Sequence, residues 1–505
     1  MTATIGAALS WWARTQPEAP AYVFADETLD YRTVEHWSSR VARLLGEHGV
    51  APGDRVGLMA GNSVPWPIAA LGVMKAGGVL VPLNPRFKPA ELRKVLDDAG
   101  AAVVIADDAF VPTVTAAGEL GAATTAVSFA DLRGARAGAP DTFRIDRGEE
   151  DPIAVIFTSG STGMAKGVVL TNRTLMSIVF EASLTEEGFH RGSTSILVLP
   201  LAFTPGLVWG VLMTTVLGGK IVIEADLNPG RAVKLIEEHQ VEAIFGVPLI
   251  YQALAAAPEF AEADLSSLKT AAVGGAAVPA TLLEAWAAKD VALRQIYGMT
   301  EAGGIATSTW VSEYREHPGT CGSGLIFTRV KTVREDGSDC EPGELGELVI
   351  QGPGVTPGYW EAPQINAEVF RDGWLHSGDL GTLDEQGRVK FVDRLKDLII
   401  TGGINVSPVE LELVVAGIPG VAECSVIAAP DPKFGETPAA IITVNGELAE
   451  QTVVEECAKV LADYKVPRYV VLRQDPLPRL PNGKISKTEI RAEYADIADK
   501  FAKVR

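Results

Sequence analysis

The sequence predicts an α/β fold: a large N-terminal domain of mostly parallel sheets flanked by helices, followed by a small C-terminal α+β domain. Three observations lead there. At 505 residues the chain is too long for one hydrophobic core, so two or three domains are expected. Through the first two-thirds, short apolar runs alternate with helical stretches, the pattern of parallel sheets covered on both faces. Near residues 384–400 that texture gives way to smaller, mixed elements.

The buried strands run in order as "DRVGLMA" (54–60), "AAVVIAD" (101–107), "IAVIFTSG" (153–160), "SILVLPLA" (195–202), "GKIVIEA" (219–225) and "VEAIFGVP" (241–248). Helical segments such as "PAELRKVLDDAG" (89–100) and "NPGRAVKLIEEHQ" (228–240) lie between several of them. The stretch 117–150, rich in Ala, Gly and polar residues, reads as a loose surface connection. In the C-terminal region a helix opens at "SPVELELVVAGI", where Ser407 and Glu410 have capping-box spacing and Pro408 takes the first helical position. Strands "ECSVIAAPD" and "AAIITVN", a helix "TVVEECAKVLADY", a strand "RYVVLR" and a final helix opening at Ser486, with Glu489 three residues on, complete it. The boundary is expected near 393–396, giving domains 1–394 and 395–505.

Composition narrows the function classes. With 47% hydrophobic and 21% charged residues the chain has an ordinary globular balance. A net charge of −20 argues against nucleic acid as a partner, because phosphate binding needs clustered Lys and Arg. No apolar run reaches about 18 residues, so no membrane span is expected. The N-terminus lacks the basic start and apolar core of a secretory signal, so the cytoplasm is the expected location. Cys321, Cys340, Cys424 and Cys457 lie too far apart for a zinc site or a disulfide framework. Oligomeric state is left open, a homodimer included.

The segment "IFTSGSTGMAKGVVLT" (156–171) follows a strand and resembles a phosphate loop without meeting the usual pattern. In Gly-x-x-x-x-Gly-Lys-[Ser/Thr] the last hydroxyl holds Mg²⁺. Here Gly160 starts the loop, but Ala165 and Gly167 stand at the second glycine and the hydroxyl position. Thr158, Ser159, Gly160, Ser161, Thr162 and Gly163 still offer turned backbone N–H groups and hydroxyls, and Lys166 adds positive charge. A flexible turn has the same composition. If the loop holds phosphate, a carboxylate elsewhere must hold the metal. Glu301 in "YGMTEAGG" (297–304) can do so, since Mg²⁺ commonly takes one or two carboxylates with substrate phosphate oxygens. Tyr297 beside it offers a flat face for a base. In "DGWLHSGDLG" (372–381), Asp379 sits in a glycine-bounded turn and can accept both hydroxyls of a ribose. "DRLKD" (393–397) places Arg394, Lys396 and Asp397 at the domain junction, and "PNGK" presents Lys484 just ahead of the last helix. Singly, each also fits a surface charge or a turn.

In this order and spacing, "TSGSTGMAKGV", "YGMTE", "WLHSGDLG", "DRLKDLIITGG" and "PNGK" resemble the successive core motifs of the adenylate-forming (AMP-binding) superfamily of acyl-CoA synthetases, peptide-synthetase adenylation domains and luciferases. "GDRVGLMAGNSVPWPIAALGVMKAGGVLVPLNP" (53–85) and "VGGAAVP" (273–279) extend the resemblance over nearly the whole chain. It implies an ATP-dependent acid–CoA ligase that forms an acyl-adenylate, releases pyrophosphate and passes the acyl group to coenzyme A. By the same resemblance, residues 158–166 grip the pyrophosphate end of ATP. Tyr297 and Gly274–Gly275–Ala276 flank adenine, Thr300 contacts the α-phosphate, Glu301 holds Mg²⁺, and Asp379 and Arg394 take the ribose. Lys484 reaches the carboxylate from a mobile small domain that turns at Lys396, after which Gly402 and Gly403 line the thiol's tunnel. Phe203 in "PLAFTPG" (200–206) stands where many such enzymes carry histidine; with Met299 and Gly303 it borders an apolar pocket for an aliphatic, alicyclic or aromatic acid. Ile404 departs from a position that is often polar. Two other readings remain at this stage: an adenylating enzyme that loads a carrier-protein thiol, and a non-catalytic nucleotide-binding relative.

Overall fold

A computed structural model describes residues 3–25, 27–122, 124–158, 166–276, 278–480 and 483–505. All six apolar runs form strands, and they divide between two sheets. The first orders Thr125–Ser128, Val103–Ala106, Arg55–Met59, Val79–Leu83, Pro152–Thr158 and Lys166–Thr171; every pair is parallel except the last. The second holds nine strands, with Leu293–Tyr297, Thr270–Val273, Ala243–Gly246, Thr194–Leu197, Lys220–Ile223 and Pro20–Phe24 parallel at its centre. Val56, Leu58, Val104 and Ile105 are wholly buried, because helices cover both sheet faces and leave no polar side to alternate toward. The helix Pro89–Ala99 shows how such an element is bounded. Proline opens it, Glu91 accepts the Lys88 N–H at 2.8 Å, and Gly100 ends it at φ +66°.

The expected loose connection at 117–150 is largely ordered. A strand, Thr125–Ser128, pairs in parallel with Val103–Ala106, and the helix Phe129–Arg136 follows it. Ser128 and Asp131 cap that helix reciprocally, while Phe129 and Leu132 are fully buried. Few apolar side chains anchor this stretch, and the alanines around them mask their spacing. Among the described residues, the irregular backbone is a short break at 120–124 and the run after Arg136.

Between the parallel sheets and the C-terminal region lies a five-stranded antiparallel sheet: Arg329–Val333, Gly346–Gln351, Trp374–Leu383, Phe370–Arg371 and Val389–Arg394. Beyond it the residues make their own sheet and cores. Ile404–Val406, Ile399–Thr401, Gly435–Val444 and Val421–Asp431 run antiparallel, and Tyr469–Arg473 adds a parallel strand. Two hydrophobic clusters in this region draw only on residues after 398. The capping box at Ser407 forms on one side only. Ser407 accepts the Glu410 N–H at 3.3 Å, but Glu410 turns its carboxylate to Lys465 at 2.7 Å. Among the described residues no helix is long and apolar enough to cross a membrane.

Candidate active site

The ends of the glycine-rich loop face each other across a hairpin. Thr158 pairs with Lys166, and its hydroxyl donates to the Lys166 carbonyl at 3.4 Å. Ser159, Gly160, Ser161, Thr162 and Gly163 lie outside the described residues. Lys166 extends its ammonium over the ring of Tyr359, 5.2 Å from the centroid. Tyr359 is bridged to Val168, and its hydroxyl donates to Glu301 Oε1 at 2.8 Å. One tyrosine therefore joins the loop's lysine to the carboxylate expected to hold metal. Burial and the adjoining Glu301 carboxylate both push the Tyr359 phenol upward, so it stays a donor.

Glu301 sits in a 3-10 turn, Thr300–Ala302, directly after Met299. Its backbone carbonyl accepts the Thr356 N–H at 2.8 Å, which ties the turn to the 356–360 segment. The side chain is buried at 7% exposure, and among the described residues it joins no ion pair. A buried carboxylate without a cation is costly. The donor chemistry therefore fits a divalent ion shared with phosphate oxygens, since Mg²⁺ needs only one or two carboxylates from protein. Thr300 and Thr204 share a hydrogen bond of 2.8 Å between hydroxyls.

Asp379 and Arg394 are register partners on neighbouring antiparallel strands, with Arg394 Nε 3.3 Å from Asp379 Oδ1. The expected glycine-bounded turn is thus a strand, Trp374–Leu383, interrupted by Gly378 at φ +70°. Tyr297 donates its phenol to Asp379 Oδ2 at 2.9 Å, so its hydroxyl end is fixed on the carboxylate expected to take the ribose. Burial raises the Asp379 carboxyl, opposed by Arg394, the Tyr297 hydrogen bond and Lys484. Lys484 comes from the C-terminal region into the same groove. Its backbone carbonyl accepts the Leu480 N–H at 2.7 Å, and Arg479 donates to the Gly483 carbonyl at 2.7 Å, so its backbone is tied to the residues before it. Its side chain crosses Gly275, where a Cβ would stand 2.7 Å from Lys484 Cε. Gly275 has φ +80°, a left-handed conformation that favours glycine, and a side chain there would displace the Lys484 tip. Gly274 follows the strand Thr270–Val273 and would collide with Ile296 if it carried a Cβ, and Ala276 is exposed beside it. Burial and Arg394 hold the Lys484 ammonium below the ordinary lysine range, with Asp379 acting in the opposite direction.

On the expected acid side, Phe203 and Met299 are half-buried, and the Gly303 carbonyl accepts the indole N–H of Trp209 at 2.9 Å. Four residues here were not read from sequence: Thr204, Trp209, Tyr359 and Asn62. Asn62 Nδ2 donates to the Leu199 carbonyl at 3.0 Å and the Glu224 carbonyl at 2.9 Å, while its Oδ1 accepts the Leu201 N–H at 2.8 Å. These bonds fix the loop leading to Phe203 and Thr204. Nothing local marks Asn62 except its place in "GNS".

Beyond Arg394 the chain turns toward the C-terminal region. Lys396 is exposed in the turn Leu395–Asp397, and Arg491 donates to Asp397 at 2.9 Å. Gly402 and Gly403 form the exposed bend between Ile399–Thr401 and Ile404–Val406, at φ +57° and +81°. Lys484 therefore reaches Asp379, Arg394 and Gly275 while the glycine pair remains at the surface.

Comparison with known proteins agrees with this layout. The AMP-binding enzyme family matches residues 9–360, and the AMP-binding enzyme C-terminal domain matches residues 410–484. A feruloyl-CoA synthase from Amycolatopsis sp is 37% identical over 490 residues, spanning 95% of this chain and 97% of that protein. The long-chain-fatty-acid–CoA ligase FadD13 of Mycobacterium tuberculosis is 35% identical over 500 residues, 97% of this chain and 98% of the relative. ATP-bound MatB from Rhodopseudomonas palustris superposes with a TM-score of 0.90 at 31% identity, covering 98% of this chain and all of that one. The apo form of the same protein, with 98% and 100% coverage, gives 0.78. The whole-chain arrangement thus matches the ATP-bound form more closely. By its motifs, its fold and these end-to-end matches, the chain belongs to the AMP-binding, adenylate-forming enzyme family.

Proposed function

We infer that the chain is an AMP-forming acid–CoA ligase acting on an aliphatic, alicyclic or aromatic carboxylic acid. The observation that carries this reading is the meeting of Lys484, the Asp379–Arg394 pair, Thr300 and Glu301 around one groove. A carboxylate oxygen attacks the α-phosphorus of ATP, and the bond to pyrophosphate breaks. The thiol sulfur of coenzyme A then attacks the acyl carbon, and AMP departs with the bridging oxygen.

Each residue has a task set by charge. Bringing a carboxylate to a phosphate unites two anions, so Lys484 neutralises charge at the reacting end. Asp379 and Arg394 hold the ribose, and Tyr297 fixes the Asp379 rotamer. Thr300, braced by Thr204, meets the α-phosphate, while Thr158, the loop to Gly163 and Lys166 hold the departing pyrophosphate. Glu301 would hold Mg²⁺, which would supply further charge neutralisation there when bound. Fixing both reactants in this groove removes the entropic part of the barrier.

Residues 1–394 form the nucleotide body and 395–505 the lid that carries Lys484. The arrangement described here suits the first half-reaction, and turning at Lys396 would bring Gly402 and Gly403 to the thiol. Coenzyme A is favoured over a carrier protein because the relatives aligned end to end are named as CoA ligases. Use of ATP and coenzyme A agrees with a cytoplasmic location. A carboxylic-acid panel assayed for pyrophosphate release, with and without coenzyme A, tests the reading. Acid-dependent release that coenzyme A accelerates supports it; release indifferent to acid, or to coenzyme A with every acid, overturns it.

A further inference from the structure

On the reading that the chain activates a carboxylic acid, we propose that Trp209 is the end wall of the acid site. The substrate is then a short-chain or single-ring acid bearing no second charge, and long acyl chains are excluded.

The wall is built by an unusual local backbone. Pro205–Leu212 winds as a π-helix, a rare form that concentrates at functional sites. This places Leu207, Val208 and Trp209 together in the interior. Trp209 then closes directly on the turn that carries Thr300 and Glu301. Its Nε1 donates to the Gly303 carbonyl at 2.9 Å, and a Cβ on Gly304 would stand 2.5 Å from that nitrogen. Gly304 has φ +106°, so the turn can meet the indole edge only as glycine.

Behind the indole the path is filled. The Trp209 ring lies 4.9 Å from Phe245 and 5.8 Å from Phe189, and those two rings are 5.4 Å apart. Centroid separations of this size are aromatic contact, so the three rings pack against one another behind the indole. The wall is also close to the reacting end. Gly303, whose carbonyl takes the indole N–H, is the left-handed cap of the single 3-10 turn Thr300–Ala302. An acid held by its carboxylate beside Thr300 and Lys484 would therefore meet the indole within a short reach. Phe203, Trp209 and Phe245 bring no charge, and the indole N–H is already bonded, so a second carboxylate on the substrate would be buried without a partner.

The test is a pyrophosphate-release series of hexanoate, benzoate, cinnamate, dodecanoate, hexadecanoate and adipate, run on the full chain, Trp209→Ala and Trp209→Phe. The unmodified chain should favour its best short or ring acid over hexadecanoate and over adipate by about 100-fold in kcat/KM. Trp209→Ala should narrow the hexadecanoate gap by about tenfold or more, over and above any loss common to all acids from the missing Gly303 bond, and Trp209→Phe should fall between. Equal use of hexanoate and hexadecanoate by the unmodified chain overturns the proposal and leaves the ligase reading intact, and this arm needs no variant to fold. A Trp209→Ala effect equal for all acids also overturns it. Release with none of the acids overturns the ligase reading and this proposal together.

Discussion

Two glycine turns serve this molecule in opposite ways. In the 298–304 turn every glycine touches something. A Cβ on Gly298 would run into the Gly304 carbonyl, one on Gly303 would stand 2.6 Å from Ile178, and one on Gly304 would stand 2.5 Å from Trp209. In the 402–403 bend, Gly403 has nothing within 4 Å and Gly402 meets only Phe434, at 3.3 Å. Both turns use left-handed backbone, but for the first it is a condition of close packing and for the second it leaves bare main chain at the surface. The first turn is complete in this arrangement of the two bodies. The second becomes a site only when another surface or a ligand meets it, as the proposed thiol step requires.

The largest test separates the two half-reactions that these turns are proposed to serve. Lys484→Ala should slow adenylate formation by about 10²–10³-fold, the usual cost of losing one preorganised charge-stabilising group. Transfer from a supplied acyl-adenylate to coenzyme A should be largely spared. Equal losses in both steps would mean that Lys484 does not act on the first-step groove alone.

The glycines themselves come next. Gly304→Ala carries left-handed strain of about 1–2 kcal/mol and an overpacking penalty of about 1–3 kcal/mol against the indole. Gly403→Ala carries the strain alone. Denaturant midpoints should therefore fall further for Gly304→Ala, whereas thiol transfer should slow selectively in Gly403→Ala. Matching midpoints would erase the distinction between a packed and an open turn.

Tyr359→Phe removes the hydroxyl that orients Glu301 while leaving the ring beneath Lys166. The Mg²⁺ concentration for half-maximal adenylation should rise by about tenfold, the low end for partners that orient a metal ligand. An unaltered Mg²⁺ titration would place the metal elsewhere.

The smallest effect is on pH. Lys484 acts in its charged form, and burial with Arg394 lowers its pKa. Activity in kcat/KM for adenylation should therefore be lost on the alkaline side as pH rises through that lowered value, below where an ordinary lysine titrates. Lys484→Arg should move the limb upward if it retains measurable rate, because guanidinium stays charged. A limb that does not move assigns the titration to another group.

Legibility in the sequence followed the range of the interactions. Strands such as Arg55–Met59 and Ala243–Gly246 announce themselves because both faces are buried and the apolar run is continuous. The antiparallel sheet over 329–394 does not. Its half-exposed strands are short or broken by glycine, and Asp379 reads as a turn residue although it lies within Trp374–Leu383. Lys484, Glu301 and Arg394 stand out as charges in glycine-rich or junction motifs, and the structure gathers Lys484, Asp379 and Arg394 in one groove. Asn62, Trp209 and Tyr359 carry no such mark. Their partners lie 137, 94 and 58 residues away, so only the folded chain reveals what they hold.

The central claim is that a carboxylate oxygen becomes bonded to the α-phosphorus before a thiol takes the acyl group. Supplying an accepted acid with ¹⁸O in both carboxylate positions and analysing the nucleotide product tests it directly. The account predicts AMP carrying one ¹⁸O atom and unlabelled pyrophosphate. Unlabelled AMP, or label in inorganic phosphate alongside ADP, would contradict it.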